Sequence, residues 1–155
     1  MPADRVADMK QATRATVPLA RAAGAVIVDA ERRVLLVQQA SGHRRWGLPG
    51  THLEPCDVPS SALVRDVRRE IGLETEVTGL VGLYHLAGGD LPDLLTYVFA
   101  CDIVGGEPVV NERGRIARIG WHDAGAVPPP VTVTARAVGE DIVANRHGVV
   151  RDLIR

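Results

Sequence analysis

The feature that most constrains this chain is the stretch from Gly50 to Leu73, reading GTHLEPCDVPSSALVRDVRREIGL. A Leu48-Pro49-Gly50 turn leads into a short run ending in Glu54, then a loop with Asp57, then a strongly patterned segment ending at Gly72. Pro59 suits the first helical position, where its missing N–H costs nothing, and Gly72 suits the left-handed stop. Val58 is a poor N-cap because its side chain has no acceptor, although Asp57 nearby favours the positive end of the dipole. The pattern predicts a helix from Pro59 to Ile71. Helical periodicity puts Leu63, Val64, Val67 and Ile71 on one buried stripe. Asp66, Arg69 and Glu70 fall together on another side, with Arg65 on the flank, because residues three and four apart are neighbours. Taken alone, that second group reads as a solvated face with helix ion pairs.

The features upstream change that reading. Together they resemble the box of the Nudix hydrolase family, G-x5-E-x7-R-E-U-x-E-E-x-G-U, where U is a bulky aliphatic residue. Laid on this chain without a gap, the box begins at Thr51 and runs through Asp57, Arg65, Asp66, Val67, Arg69, Glu70 and Gly72 to Leu73. Trp46-Gly47-Leu48-Pro49-Gly50 is similar to the approach to such a box, and Trp121-His122-Asp123 with Pro128 is similar to the family's last strand and following turn. The resemblance extends from about Ala23 to His147. It implies an α/β fold, an α/β/α sandwich with a mixed β-sheet. It also implies hydrolysis of a pyrophosphate bond in a nucleoside diphosphate derivative, with Mg²⁺ or Mn²⁺ as cofactor.

Four positions depart from the pattern: Thr51 for glycine, Asp57 for glutamate, Asp66 for the first helix glutamate and Arg69 for the second. The resemblance assigns metal-binding carboxylates to the positions of Asp66, Arg69 and Glu70, helped by the backbone carbonyl at Gly50. Only Gly50, Asp66 and Glu70 carry over as ligands, with Asp66 and Glu70 as the catalytic acids. Asp57 and Arg65 match a supporting salt bridge that locks the loop onto the helix and aims the next carboxylate. Mg²⁺ is a hard ion that wants oxygen ligands. The group Asp66, Arg69 and Glu70 sums to one negative charge rather than three. Unit charges about 5 Å apart at an effective dielectric near 20 interact by roughly 3 kcal/mol, and exposure cuts this towards about 0–1 kcal/mol. The sign is clear: Arg69 satisfies the acids and repels a cation, so the metal site is expected to be weak unless substrate phosphates add ligands.

Substrate contacts are expected from Arg44, Arg45, Trp46 and Glu112. Gln38 and Gln39 stand where the family often has a phosphate-binding arginine, and Arg44 and Arg45 of the adjacent loop take that contact over. Arg113, Arg115 and Arg118 occupy a stretch where family members often carry glutamates, which leaves Glu112 as the acidic candidate. Trp46 is either core or a wall for a stacked base.

The 155 residues suffice for one domain, divided into an arm over residues 1–16 and a Nudix-like domain over 17–155. A net charge of −1 argues against a nucleic-acid-coating or anionic-membrane protein. Cys56 and Cys101 lack metal-like spacing and suit free thiols in a reducing cytoplasm. No signal peptide or membrane span is expected. Apolar runs predict strands at Ala23 to Val28 and Val34 to Gln39, flanking a turn, and an extended piece at Trp46 to Leu48. Further strands are expected at Glu76 to Tyr84, Leu94 to Val104 and Ile116 to Trp121. A closing helix over Thr134 to Asn145 would bury Ala137, Val138, Ile142 and Val143. Three readings follow: a pyrophosphohydrolase with a small nucleotide-type substrate, a chemically impaired module that binds a nucleotide or a protein partner, and an assembly surface. A homodimer is carried as one option for oligomeric state.

Overall fold

The computed structural model describes residues 19–155, so the expected arm over residues 1–16 lies outside the described residues. Alternation along the first strand sets the architecture. Strand β1 (Ala20–Ile27) turns Ala23, Ala25 and Ile27 to one side and Val26 to the other. It pairs antiparallel with β4 (Gly50–His52) and parallel with β6 (Leu94–Gly105). Strand β5 (Glu74–Ala87) runs antiparallel to β6 and parallel to β8 (Val149–Ile154). The result is a mixed five-stranded sheet in the order β4-β1-β6-β5-β8. A second sheet of three antiparallel strands has β2 (Arg33–Gln39) between β3 (Trp46–Gly47) and β7 (Ile116–Asp123).

Helix α1 (Pro59–Ile71) packs Leu63, Val67 and Ile71 against Ala23, Ala25 and Ile27, with Leu35 and Ile116 of the second sheet joining them. Helix α2 (Val133–Val143) brings Ala137 and Val138 to Val26, Val81, Tyr84 and Val98 on the opposite face. The molecule is therefore the expected α/β/α sandwich around a mixed sheet. No helix of the described residues is long and apolar enough to cross a membrane.

Both ends of α1 follow from the residues that bound it. Val58 makes no side-chain cap bond, and Gly72 closes the helix at φ +71°, with its N–H donating to the Arg68 carbonyl at 3.0 Å. The buried stripe differs from expectation in one respect. Val64 is only half-buried, whereas Asp66 and Glu70 are buried beside Leu63, Val67 and Ile71. In α2 the Thr132 hydroxyl caps the start by accepting from the Ala135 N–H at 3.2 Å. Val143, expected in the core, is 64% exposed, and Asp141 is fully buried instead.

Two strands escaped the sequence reading. Strand β4 is a three-residue extension of the Leu48-Pro49-Gly50 turn, and β8 carries Arg151 and Asp152, which break its apolar pattern. The two strands flanking the Asp29–Arg33 turn are both present but enter different sheets, linked by the single Val28–Val34 bridge. Gly50 is where β4 crosses closest to β1: a Cβ there would lie 2.5 Å from the Ala23 carbonyl oxygen.

Candidate active site

Asp66 and Glu70 are 3% and 6% exposed, so the polar side of α1 is not a solvated face. Strand β4 covers Asp66 through Thr51, whose hydroxyl donates to Asp66 Oδ2. The segment after β6 covers the other end, where the Val109 N–H donates to the Ile71 carbonyl and the Asn111 N–H to the Glu70 carbonyl, both at 2.9 Å. These contacts press the two acids into the protein, and a buried charge persists only where it is paired.

Guanidinium groups supply the pairing. Arg65 Nε donates to Asp66 Oδ1 at 3.1 Å. Arg69 Nη2 lies 3.4 Å from Asp66 Oδ1 and 3.7 Å from Glu70 Oε1. Arg115 Nη1 donates to Glu70 Oε1 at 2.9 Å. Glu112 completes the group, 3.2 Å from Arg69 Nε and 3.6 Å from Arg115 Nη1. Three carboxylates thus meet three guanidinium groups, and their formal charges cancel. The layering is pronounced. Side chains of Asp66 and Glu70 are 4% and 8% exposed, whereas those of Arg65, Arg69 and Arg115 are 56–59% exposed. The acids form the floor and the arginines a lid whose unused N–H groups face solvent.

The two acids are shifted in opposite directions. Burial pushes the Asp66 carboxyl up, but hydrogen bonds from Arg65 and Thr51 and the charges of Arg69 and Arg65 outweigh it, leaving Asp66 below the ordinary carboxylate value. Burial also pushes Glu70 up; the charges of Arg115 and Arg69 oppose it, Glu112 and Asp66 reinforce it, and Glu70 ends above its ordinary value. A depressed carboxylate stabilises the fold above its unfolded pKa and loses that contribution as pH falls through the folded one. Asp66→Asn is therefore expected to flatten the acid limb of stability below about pH 4, measured as urea midpoints across the acid range.

A family model described as "NUDIX domain" matches residues 18–141. The chain belongs to the Nudix family. It is 29% identical over 94 residues to an ADP-ribose pyrophosphatase of Methanocaldococcus jannaschii, covering 59% of this chain and 56% of that one. It is 33% identical over 85 residues to the 8-oxo-dGDP phosphatase NUDT18 of Danio rerio, covering 54% of this chain and 25% of that one. The chain thus spans between a quarter and just over half the length of these relatives. The crystal structure of a MutT NUDIX hydrolase from Burkholderia pseudomallei superposes with a TM-score of 0.74 at 25% identity, covering 81% of this chain and 98% of that one.

Nudix hydrolases generally use divalent metal ions. In this Nudix chain three of the oxygens that would ligate one are already engaged. Both Asp66 oxygens accept from Arg65 or Thr51, and Glu70 Oε1 accepts from Arg115. A cation between the acids would also meet the like charge of Arg69, which lies within 3.7 Å of both. Among the described residues no group of three or more His, Cys, Asp or Glu is placed to hold a metal ion. As arranged, the guanidinium groups of Arg65, Arg69 and Arg115 stand where they compete with a divalent cation for the Asp66 and Glu70 oxygens.

The remaining expected site residues divide. Gly50 precedes Thr51, whose hydroxyl reaches Asp66, on β4, and packs against Ala23 and Gly24 of β1. Asp57 and Arg65 do approach each other, but at 3.8 Å. The closer partner of Arg65 is Asp66 itself, and Asp57 instead accepts from the Glu54 N–H at 2.8 Å. Glu112, expected to contact substrate, stands beside the acidic pair through Arg69 and Arg115. Arg44 and Arg45 are exposed, and their backbone groups pair with Gln38 and Gln39. No hydrogen bond or ion pair joins either to the acids among the described residues. Trp46, read as either core or a wall for a stacked base, is core: it is 7% exposed, its ring covered by the Arg118 guanidinium at 5.5 Å and met edge-on by His122 at 4.5 Å. The arginine reaching the Gln38 position is Arg118, whose Nε donates to Gln38 Oε1 at 2.9 Å.

Sequence reasoning missed Thr51 and Arg115. Thr51 stood out only as a lost glycine, yet its hydroxyl holds Asp66. Arg115 stood out only as a lost glutamate, yet it is the closest partner of Glu70. The one local signal was the three-residue spacing of Glu112 and Arg115, which are indeed paired.

Proposed function

We propose that this chain is a Nudix-type hydrolase that cleaves the pyrophosphate bond of a nucleoside diphosphate derivative, with a divalent-ion site weakened by its own arginines. The observation that carries this reading is the shared guanidinium: Arg69 bridges two buried acids, Asp66 and Glu70, on the helix of a Nudix fold. The named activity of the archaeal relative, an ADP-ribose pyrophosphatase, supports the substrate class. In the reaction, water attacks one phosphorus, the bond to the bridging oxygen breaks and a carboxylate accepts the proton. Glu70, held above its ordinary value, is the proton acceptor assigned here. The solvent-facing N–H groups of Arg65, Arg69 and Arg115 would meet the diphosphate oxygens. The free thiols Cys56 and Cys101 suit a reducing cytoplasm.

The test is a panel of nucleoside diphosphate sugars, dinucleotides and nucleoside triphosphates with Mg²⁺ or Mn²⁺, scored for phosphate-bearing products. Slow turnover is expected. Arg69→Glu should raise it about tenfold, equivalent to roughly 1.4 kcal/mol of barrier, and lower the metal concentration needed. No gain from that variant, with no loss from Glu70→Gln, would remove the helix acids from the reaction.

The outward arginine lid also favours a second reading, a module that binds a nucleotide without turning it over. Calorimetry of ADP in the presence of a chelator separates the two. Saturable heat without product under any metal would replace the hydrolase reading.

A further inference from the structure

We propose that Arg118 is the centre of a second ligand site, one that takes a phosphate group on the face of the three-stranded sheet turned away from α1. Alternation along β2 separates the two faces. Leu35 packs with α1, whereas Val34 and Leu36 share the cluster of Trp46 on the other side. Gln38 is in step with Leu36, and Trp46 of β3 and Arg118 of β7 stand opposite Gln38 in the register. Arg118 therefore lies across the sheet from Asp66 and Glu70, outside the arginine lid over them.

Its guanidinium is fixed from two sides. Nε donates to Gln38 Oε1 at 2.9 Å, and Cζ lies 5.5 Å from the centre of the Trp46 ring, within cation–π range. Gln38 is 7% exposed, and its Nε2 donates to the Arg44 carbonyl at 3.1 Å. One buried amide thus holds Arg118 and the loop that carries Arg44 in a single arrangement. A side chain ordered in advance binds at a lower entropic cost.

The positioned cation lacks a counter-charge. Arg65, Arg69 and Arg115 each have a carboxylate partner, as do Arg146 and Arg151. Among the described residues Arg118 and Arg44 have none, and both are exposed. With Nε bound to Gln38, the Nη groups of Arg118 make no hydrogen bond within the described residues and present a fork of donors to solvent. The charge is also felt inside: after burial, it is the second cause that holds His122 below its ordinary value. Two uncompensated guanidinium groups joined through one amide favour a doubly charged phosphate over a singly charged carboxylate.

The experiment follows Trp46 fluorescence in the full chain, with Trp121→Phe removing the other tryptophan. Inorganic phosphate, phenyl phosphate and acetate are titrated without metal. Saturable changes are expected with both phosphates, and binding about tenfold weaker with acetate. Tighter binding of phenyl phosphate assigns an organic ester as the ligand, and equal affinities assign the free ion. Arg118→Gln should weaken binding about tenfold, the loss of one charge-assisted hydrogen bond, and leave the Tm unchanged because the side chain is exposed. Gln38→Glu should abolish binding, since it keeps the shape of the side chain but gives Arg118 the carboxylate it lacks. In the ¹⁵N-labelled chain the shifted amides are expected at Gln38, Arg44 and Arg118. Shifts confined to residues 65–70 and 112–115 would overturn the proposal. So would binding indifferent to Arg118→Gln, or acetate binding as tightly as phosphate.

Discussion

Glu70→Gln is expected to reduce hydrolysis by about 10²- to 10⁴-fold, the usual worth of a positioned general base. The substitution keeps the size of the side chain and an oxygen that can still accept from Arg115, so the loss should fall on kcat rather than on folding. Arg115 is largely exposed and can return to water, so removing the charge of Glu70 strands no buried cation. Steady-state kinetics on the best substrate of the panel, alongside thermal unfolding of the same variant, provides the check. An unchanged kcat would take Glu70 out of the proton transfer and leave Asp66 as the remaining buried acid on the helix. A fall in Tm matching the fall in activity would make Glu70 a structural residue.

Asp141→Ala is expected to cost about 3–5 kcal/mol of stability, as for a buried ion pair broken on one side, and to lower Tm by roughly 10 °C. Asp141 is fully buried, on the face of α2 that meets the sheet. It accepts from the Tyr84 hydroxyl of β5 at 2.7 Å and from Arg151 of β8 at 3.0 Å, and Arg146 lies 3.2 Å away. One carboxylate therefore ties a helix to two strands. Burial, and then the hydrogen bond to Asp141, push the Tyr84 hydroxyl above its ordinary value, so it stays a proton donor across the working range. Tyr84→Phe should cost less, about 1–2 kcal/mol, and the double variant should fall short of the sum because the two groups share one bond. Urea unfolding of the four proteins measures all three quantities. Full additivity would show that Tyr84 and Asp141 act independently.

How much was legible varies by element, and the reason is range. The bounds of α1 were readable because Pro59 and Gly72 act locally: one removes a donor and the other adopts a left-handed backbone. The strands with continuous apolar runs were readable for the same reason. Strand β8 was not, because Arg151 faces α2, where Asp141 and Glu140 take up its charge, and no local pattern announces such a partner. Val64 was assigned to the core by angle alone, yet the cleft beside β5 leaves it half-buried.

The same division runs through the site. Amino-acid order alone determined that Asp66, Arg69 and Glu70 share one side of a helix, since 3.6 residues per turn allows nothing else. Only the tertiary structure decided that this side is buried and that Thr51 and Arg115 hold the acids from other elements. It also decided that Trp46 belongs to the core. Those outcomes rest on contacts such as Glu70 with Arg115, 45 positions apart in the chain, and a contact of that range exists only once β4 and the segment before β7 have docked against α1.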